Sequence, residues 1–209
     1  MEILAHRGYW RSPDEKNSET AFRRAFEGGF GVETDLRDFG RQMVISHDIP
    51  GPSAMPLSAF LELYLACGGM HTLALNVKAD GLQEPIEEAL LTYGIRNYFL
   101  FDMSVPDTLG YLARGLATFT RRSEYEAGSA LDDRADGLWL DALEEGWVSL
   151  AMIVEALGRG RSIAIVSPEL HRRPHRAAWE QWGEAMSRRQ GGRVMLCTDY
   201  PTEAEAFFA

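Results

Sequence analysis

Apolar residues gather along this chain in short runs, and between the runs they recur at every third or fourth position. A short continuous run reads as a strand buried on both faces, and the wider spacing reads as a helix with one buried stripe. The runs fall at residues 2–5, 31–36, 72–77, 98–101, 116–120, 137–140, 162–166 and 193–197. After the first run a polar, proline-containing loop leads to Asn17 and Ser18, either of which suits a helix cap. Ala21, Phe22, Ala25 and Phe26 then share one face, and Gly28-Gly29 ends the helix. Further helices are predicted over 57–67, 82–93, 106–114, 148–157, 174–189 and 201–208. Gly40 turns the second strand into a short return run at 42–46, a hairpin, and Pro50-Gly51-Pro52 makes the next turn. The stretch from 121 through Asp133 is polar.

Strands that alternate with helices must pair in parallel, because each connection has to cross over. Eight such strands predict an α/β (β/α)8 TIM barrel, formed by residues 1–209 as a single domain. An open doubly wound sheet is the competing arrangement. It calls for a glycine-rich phosphate turn such as Gly-x-Gly-x-x-Gly after a strand, and the sequence has none.

Composition narrows the function classes. The chain has 209 residues, 45% of them hydrophobic, and a net charge of −10, with no basic stripe, so nucleic acid is not an expected partner. Two cysteines, Cys67 and Cys197, make no disulfide framework and read as reduced thiols. No apolar run approaches the length of a transmembrane span, and the first strand begins at Glu2, which leaves no room for a secretion signal. A cytoplasmic location is therefore expected.

Chemistry concentrates near the second strand. Glu33 and Asp35 are two apart, so on a strand they point to one face. Two carboxylates so placed repel each other, and a hard divalent cation between them removes the repulsion. Taken alone, the pair could equally be the solvated side of an edge strand. His47, twelve residues beyond Asp35 and at the end of the return run, and His6-Arg7-Gly8 at the end of the first strand add a second half to the same constellation. Strand ends in a (β/α)8 barrel gather at the active rim. There the sequence also offers Asn76, Lys78, Asp102, Asp141, Glu169, His171 and Asp199. His71 falls on the opposite rim and reads as structural; His175, among Arg172, Arg173 and Arg176, reads as part of a solvated face. Arg121 and Arg122 read as surface residues.

His6-Arg7-Gly8, Lys16-Asn17-Ser18, Val32-Glu33-Thr34-Asp35, Ser46-His47-Asp48, Asn76-Val77-Lys78 and Thr198-Asp199-Tyr200-Pro201 occur in the order seen in glycerophosphodiester phosphodiesterases. The chain resembles that family, part of the phosphatidylinositol-phospholipase-C-like phosphodiesterases, over its whole length and most closely over residues 1–48. The resemblance implies a (β/α)8 barrel that hydrolyses a small phosphodiester with one divalent cation, Mg²⁺ or Ca²⁺. It implies that His6 and His47 are the catalytic pair, that Glu33 and Asp35 ligate the metal, and that Arg7 and Lys78 face the phosphate. The chain departs from the family in three places, one of them the end of the seventh strand, Val166-Ser167-Pro168-Glu169-Leu170-His171, where the family is aromatic-rich. Lys16-Asn17-Ser18 stands where the family has Glu-Asn-Thr, and Asn76 stands where it has an acidic metal ligand. An amide oxygen still ligates a hard cation, with one negative charge fewer; Glu169 is a candidate to supply the missing charge. The loss at Asn76 also motivates an alternative, a catalytically silent barrel that binds a phosphorylated ligand or partner.

Overall fold

A computed structural model describes residues 1–144, 146–186 and 191–209. The elements run β1 (Glu2–His6), α1 (Glu19–Glu27), β2 (Gly31–Phe39), β3 (Gln42–Ile45), β4 (Met55–Pro56), α2 (Leu57–Ala66), β5 (Leu73–Val77), α3 (Gln83–Thr92), β6 (Tyr98–Phe101) and α4 (Val105–Ala113). They continue with β7 (Phe119–Arg122), β8 (Gly137–Leu140), α5 (Leu150–Gly158), β9 (Ser162–Val166), α6 (Arg176–Met186), β10 (Val194–Thr198) and α7 (Pro201–Phe208). Single 3₁₀ turns lie at Pro13–Glu15 and Pro168–His171. The residues group into two compact units, Ala5–Thr118 and Met1–Leu4 with Phe119–Ala209.

In the unit Ala5–Thr118, β2 is the organising strand. It pairs in parallel with β5, which places Asp35 directly beside Asn76 and Leu36 beside Val77. β5 pairs in parallel with β6, with Asn76 beside Phe101. β3 returns antiparallel along the outer part of β2, with Leu36 opposite Ile45 and Phe39 opposite Gln42, and β4 adds two residues to β3. The Ser18 hydroxyl accepts the Ala21 N–H at 3.3 Å and caps α1. Ser18 is therefore the cap, and Asn17 is left for another task. α1 buries Ala21, Phe22, Ala25 and Phe26 against α2, with the Phe22 and Phe60 rings 4.7 Å apart and the Phe26 and Tyr64 rings 5.4 Å apart. Gly8 lies against this helix at φ +86°, where an added Cβ would meet the Ala21 carbonyl carbon at 2.8 Å. The loop from β1 can pass α1 only because position 8 has no side chain. His71 is structural, as its position on the sequence implies: its carbonyl accepts the Tyr64 hydroxyl at 2.9 Å and its ring stacks on Phe26.

In the other unit, β7, β8, β9 and β10 pair in parallel in that order. Trp179 on α6 is fully buried, donates its indole N–H to the Ser167 hydroxyl at 2.8 Å, and meets the rings of Phe207 and Phe208 on α7. The segment between β7 and β8 is folded by one residue. Asp132, 3% exposed, accepts hydrogen bonds from the Thr120 hydroxyl, the Ser129 N–H and the Arg122 guanidinium.

Most of the predicted elements appear within a residue or two. The fifth strand is a correction: it occupies Phe119–Arg122, three residues later than its apolar run. The Leu116 N–H returns to the Tyr111 carbonyl, so Leu116 closes α4 rather than opening a strand. Arg122 is also corrected from surface to partly buried, because Asp132 pairs with it. The short β4 was not predicted. The end expected for the sixth helix, at residue 189, lies outside the described residues. No helix among the described residues is long and apolar enough to cross a membrane.

Candidate active site

The unit Ala5–Thr118 holds a cluster of charge inside a buried strand. Glu33 and Asp35 are 2% and 0% exposed. Asp35 receives the Asn17 amide N–H at 3.0 Å, the Arg7 guanidinium at 3.2 Å and the Lys78 ammonium at 3.6 Å. Glu33 has the His6 imidazole at 3.9 Å and accepts the Asn76 amide N–H at 3.4 Å. Burial first, then the charge of Asp35, pushes the Glu33 carboxyl up to about 7, against the opposing pull of His6, Arg7 and Lys78.

The cluster leaves polar atoms unmatched. Among the described residues, Glu33 Oε2, Asp35 Oδ1, Asn76 Oδ1 and Arg7 Nε are buried without a hydrogen-bond partner. An unmatched buried polar atom typically costs about 1–3 kcal/mol. Three of these four are oxygens on side chains that share one face of the β2–β5 pair, since Asp35 lies beside Asn76 in register and Glu33 is two residues before Asp35. Such an oxygen set suits one hard divalent cation. No group of three or more His, Cys, Asp or Glu among the described residues is arranged to hold a metal ion, so the third donor of the set would be the neutral Asn76 amide.

Backbone strain collects at the same place. Arg7, Asn17 and Asp102 adopt left-handed φ values of 56°, 58° and 71°. Each costs on the order of 1 kcal/mol for a residue with a Cβ and persists only where its surroundings hold it. Asn17 is held on three sides: its N–H donates to the Arg7 carbonyl at 2.9 Å, its amide N–H to Asp35, and its amide oxygen accepts the Thr34 hydroxyl at 2.9 Å. Asp102, at the end of β6, takes the Lys78 ammonium at 3.1 Å. The loops behind this pair are tied together, because Ser104 donates to Asp80 at 3.1 Å and Asp107 accepts the Gly81 N–H at 2.9 Å.

The structure thus gathers His6, Arg7, Glu33, Asp35, Asn76 and Lys78 into one contact network. It sets His47 apart from that network, on the wall of a cleft of about 570 Å³ whose lining includes Arg7 and Asn17. The His47 side chain is 43% exposed, with Nδ1 against the Asp48 carboxylate at 2.8 Å. That hydrogen bond holds the Asp48 carboxyl below its ordinary range. Sequence reasoning missed Asn17 as a site residue because it read the position as a helix cap. It placed Asp102 on the rim without giving it a role.

The remaining candidates lie in the other compact unit, where each has its own contacts. Glu169 accepts from the Ser167 and Thr198 hydroxyls and from the Asp199 N–H at 3.1 Å. That environment makes Glu169 a tie between strand ends, and the charge-supplying role proposed for it from sequence gains no support. His171 pairs with Asp141 at 2.6 Å. His175 is a correction: its side chain is only 15% exposed, bonded to Glu203 at 3.0 Å and packed 4.3 Å from the Trp179 ring.

No known family's sequence profile matches the chain, and no curated protein matches it. Solved structures do. A glycerophosphodiester phosphodiesterase from Parabacteroides distasonis superposes with a TM-score of 0.71 at 14% identity, over 99% of this chain and 96% of the other. A phosphodiesterase from Oleispira antarctica, solved in complex with the product sn-glycerol-3-phosphate, superposes with a TM-score of 0.68 at 15% identity, over 99% and 96%. The likeness shows the (β/α)8 class expected from the alternating strands and helices.

Proposed function

We propose that this chain is a divergent member of the glycerophosphodiester phosphodiesterase family and hydrolyses a small phosphodiester with one divalent cation, Mg²⁺ or Ca²⁺. The observation that carries the reading is the set of unmatched oxygens of Glu33, Asp35 and Asn76, buried beside the cations Arg7 and Lys78. Evolution retains such an arrangement at the cost of stability where a ligand completes it. The product bound to the Oleispira antarctica protein supports a diester of glycerol phosphate as the substrate class.

Glu33, Asp35 and Asn76 would hold a divalent ion through these oxygens, and the ion would supply Lewis acidity towards the phosphoryl group. Arg7 and Lys78 add fixed positive charge where negative charge develops in the transition state. Asp102 holds Lys78 from the far side, so the ammonium is shared between two carboxylates rather than locked to one. His6 and His47 divide the proton work: one imidazole takes the proton of the attacking hydroxyl and the other gives a proton to the leaving oxygen. Asp48 fixes Nδ1 of His47, which leaves Nε2 for that exchange. The attacker is water or a neighbouring hydroxyl of the substrate.

The test is turnover of an aryl phosphodiester with and without added Mg²⁺ or Ca²⁺, with calorimetric metal titration, for the wild type and Glu33→Gln/Asp35→Asn. Wild-type turnover and metal binding, both lost in the variant, are expected. Equal behaviour of the two proteins would refute the reading. Metal and phosphate binding without turnover would favour the silent barrel that Asn76 motivates.

A further inference from the structure

Lys78 is held at its two ends by different means. Its main-chain N–H donates to the Leu36 carbonyl at 3.0 Å, so β2 fixes where the residue starts. Its ammonium is shared between Asp35 on β2, at 3.6 Å, and Asp102 after β6, at 3.1 Å. Asp35 is fully buried in a paired strand and has no freedom to move. Asp102 stands in a loop at φ 71°, a conformation that persists only where its surroundings hold it.

Those surroundings are a seam between the loop after β5 and the first turns of α4. Ser104 caps α4 and donates its hydroxyl to Asp80 at 3.1 Å. Asp107 is the third residue of α4. A carboxylate there commonly turns back to the N–H of the cap residue. Asp107 reaches across 26 positions instead, and one of its oxygens accepts the Gly81 N–H at 2.9 Å and the Gln83 amide. Gln83 also donates to the Asp107 carbonyl at 3.3 Å. Gly110 makes room for that side chain, since an added Cβ there would meet the Gln83 amide nitrogen at 2.9 Å. A glycine inside a helix weakens it, so the close approach has a cost. A second cost is electrostatic. Asp107 is 8% exposed, and among the described residues its other oxygen has no hydrogen-bond partner. The same is true of the fully buried Tyr111 hydroxyl, one turn along α4. Burial first, then the charge of Asp107, pushes that hydroxyl up. An amide oxygen could accept the same two donors and is less costly to bury. What the carboxylate adds is strength, because a hydrogen bond to a charged acceptor is about twice as strong as one between neutral groups.

We propose that Asp107 is a positioning residue for Lys78: through the seam it keeps Asp102 where the ammonium is shared between two carboxylates. The inference rests on the phosphodiesterase reading, in which Lys78 supplies positive charge to the phosphoryl group. The Asp35 oxygen nearest the ammonium, Oδ1, is one of the three left unmatched for the divalent ion. An ammonium released by Asp102 would settle on that oxygen, where its field is cancelled and the ion's place is taken.

The experiment compares wild type, Asp107→Ala, Asp107→Asn and Gln83→Ala. It measures turnover of an aryl phosphodiester with Mg²⁺, the urea midpoint, and the distance from Lys78 to Asp102 in crystals. Asp107→Ala should lower kcat by about tenfold or more and change KM by less than about twofold, the pattern of an interaction made in the transition state. Its Lys78–Asp102 contact should open beyond about 4 Å, the limit of an ion pair. Asp107→Asn keeps a neutral acceptor and should fall between Asp107→Ala and the wild type. Gln83→Ala removes one tie only, so it should fold and show the same changes to a smaller degree. Ser149→Ala uncaps α5 in the other compact unit and controls for lost stability: its urea midpoint should fall while kcat and the contact stay unchanged. Retention of kcat or of the contact in Asp107→Ala, an Asp107→Asn no better than Asp107→Ala, or an equal loss of kcat in Ser149→Ala overturns the inference. If Asp107→Ala does not fold, Gln83→Ala decides by the same criteria. A wild type that turns over no diester, with the contact opened in Asp107→Ala, refutes the phosphodiesterase reading and upholds the positioning of Lys78.

Discussion

Glu33 and Glu169 are both buried glutamates, one in each compact unit, and the chain treats them in opposite ways. Glu169 has its oxygens matched by two hydroxyls and a backbone N–H. Glu33 leaves Oε2 unmatched, and its neighbours Asp35 and Asn76 each leave an oxygen unmatched beside it. Asp132 and Asp35 repeat the contrast, with Asp132 holding a loop and Asp35 facing three donors while one of its oxygens accepts no hydrogen bond. A satisfied buried carboxylate is a structural tie. An unsatisfied one, kept among cations, marks a candidate site for a ligand.

The comparison can be broken by mutation. Glu33→Gln should abolish turnover, a fall of about 10² or more, without lowering the urea midpoint, because an amide is less costly to bury than a carboxylate. Glu169→Gln should do the reverse. If Glu33→Gln destabilises the fold and Glu169→Gln silences it, the distinction collapses. His6→Ala and His47→Ala should each cost about as much in rate, with a double variant little worse than the poorer single. Near wild-type rates in both singles would remove the histidines from the chemistry. Asp132→Ala should cost about 2–3 kcal/mol by urea unfolding, since it strands Arg122 and frees the β7–β8 segment; a loss below the error of that measurement would mean that the segment does not depend on it.

Smaller effects sharpen the picture. Asn17→Gly keeps the left-handed backbone and removes the amide that holds Asp35. Divalent affinity should fall by roughly tenfold, the lower end of what an outer-shell partner contributes. Unchanged affinity would make Asn17 a backbone device only. Asn76→Glu restores a third carboxylate and should tighten divalent binding by less than that factor. Equal dissociation constants for wild type and variant, at fixed pH and ionic strength, would mean that Asn76 does not face the ion.

Much of this was legible in the sequence because strands impose a period of two. That period put Glu33 and Asp35 on one face, and register then brought Asn76 alongside, as a parallel neighbour must. The fifth strand was misplaced because Leu116 and Ala117 look like strand interior, whereas the strand includes Arg121 and Arg122. Their charges are masked by Glu126 and Asp132, partners that no local pattern reveals. Asn17 escaped for a related reason. Asn and Ser are equally good caps, and only the fold shows that Ser18 does the capping and that Asn17 reaches across 18 positions to Asp35. His175 was misread because three flanking arginines suggest solvent, while the ring is packed on Trp179 and Tyr200.

The loop after β1 also bears on how such a protein can change over generations. Position 8 is closed twice, by a φ of +86° and by the Ala21 backbone, so no residue but glycine passes there. Eight positions later Lys16 stands half-exposed on the lining of the cleft, with its ammonium 4.4 Å from the centroid of the Trp10 ring. One loop therefore joins an immovable anchor to a replaceable tip. Drift at the tip can change what lines the cleft while the anchor keeps Arg7 and its carboxylates in register, so the lining can vary by single steps that leave the buried cluster intact.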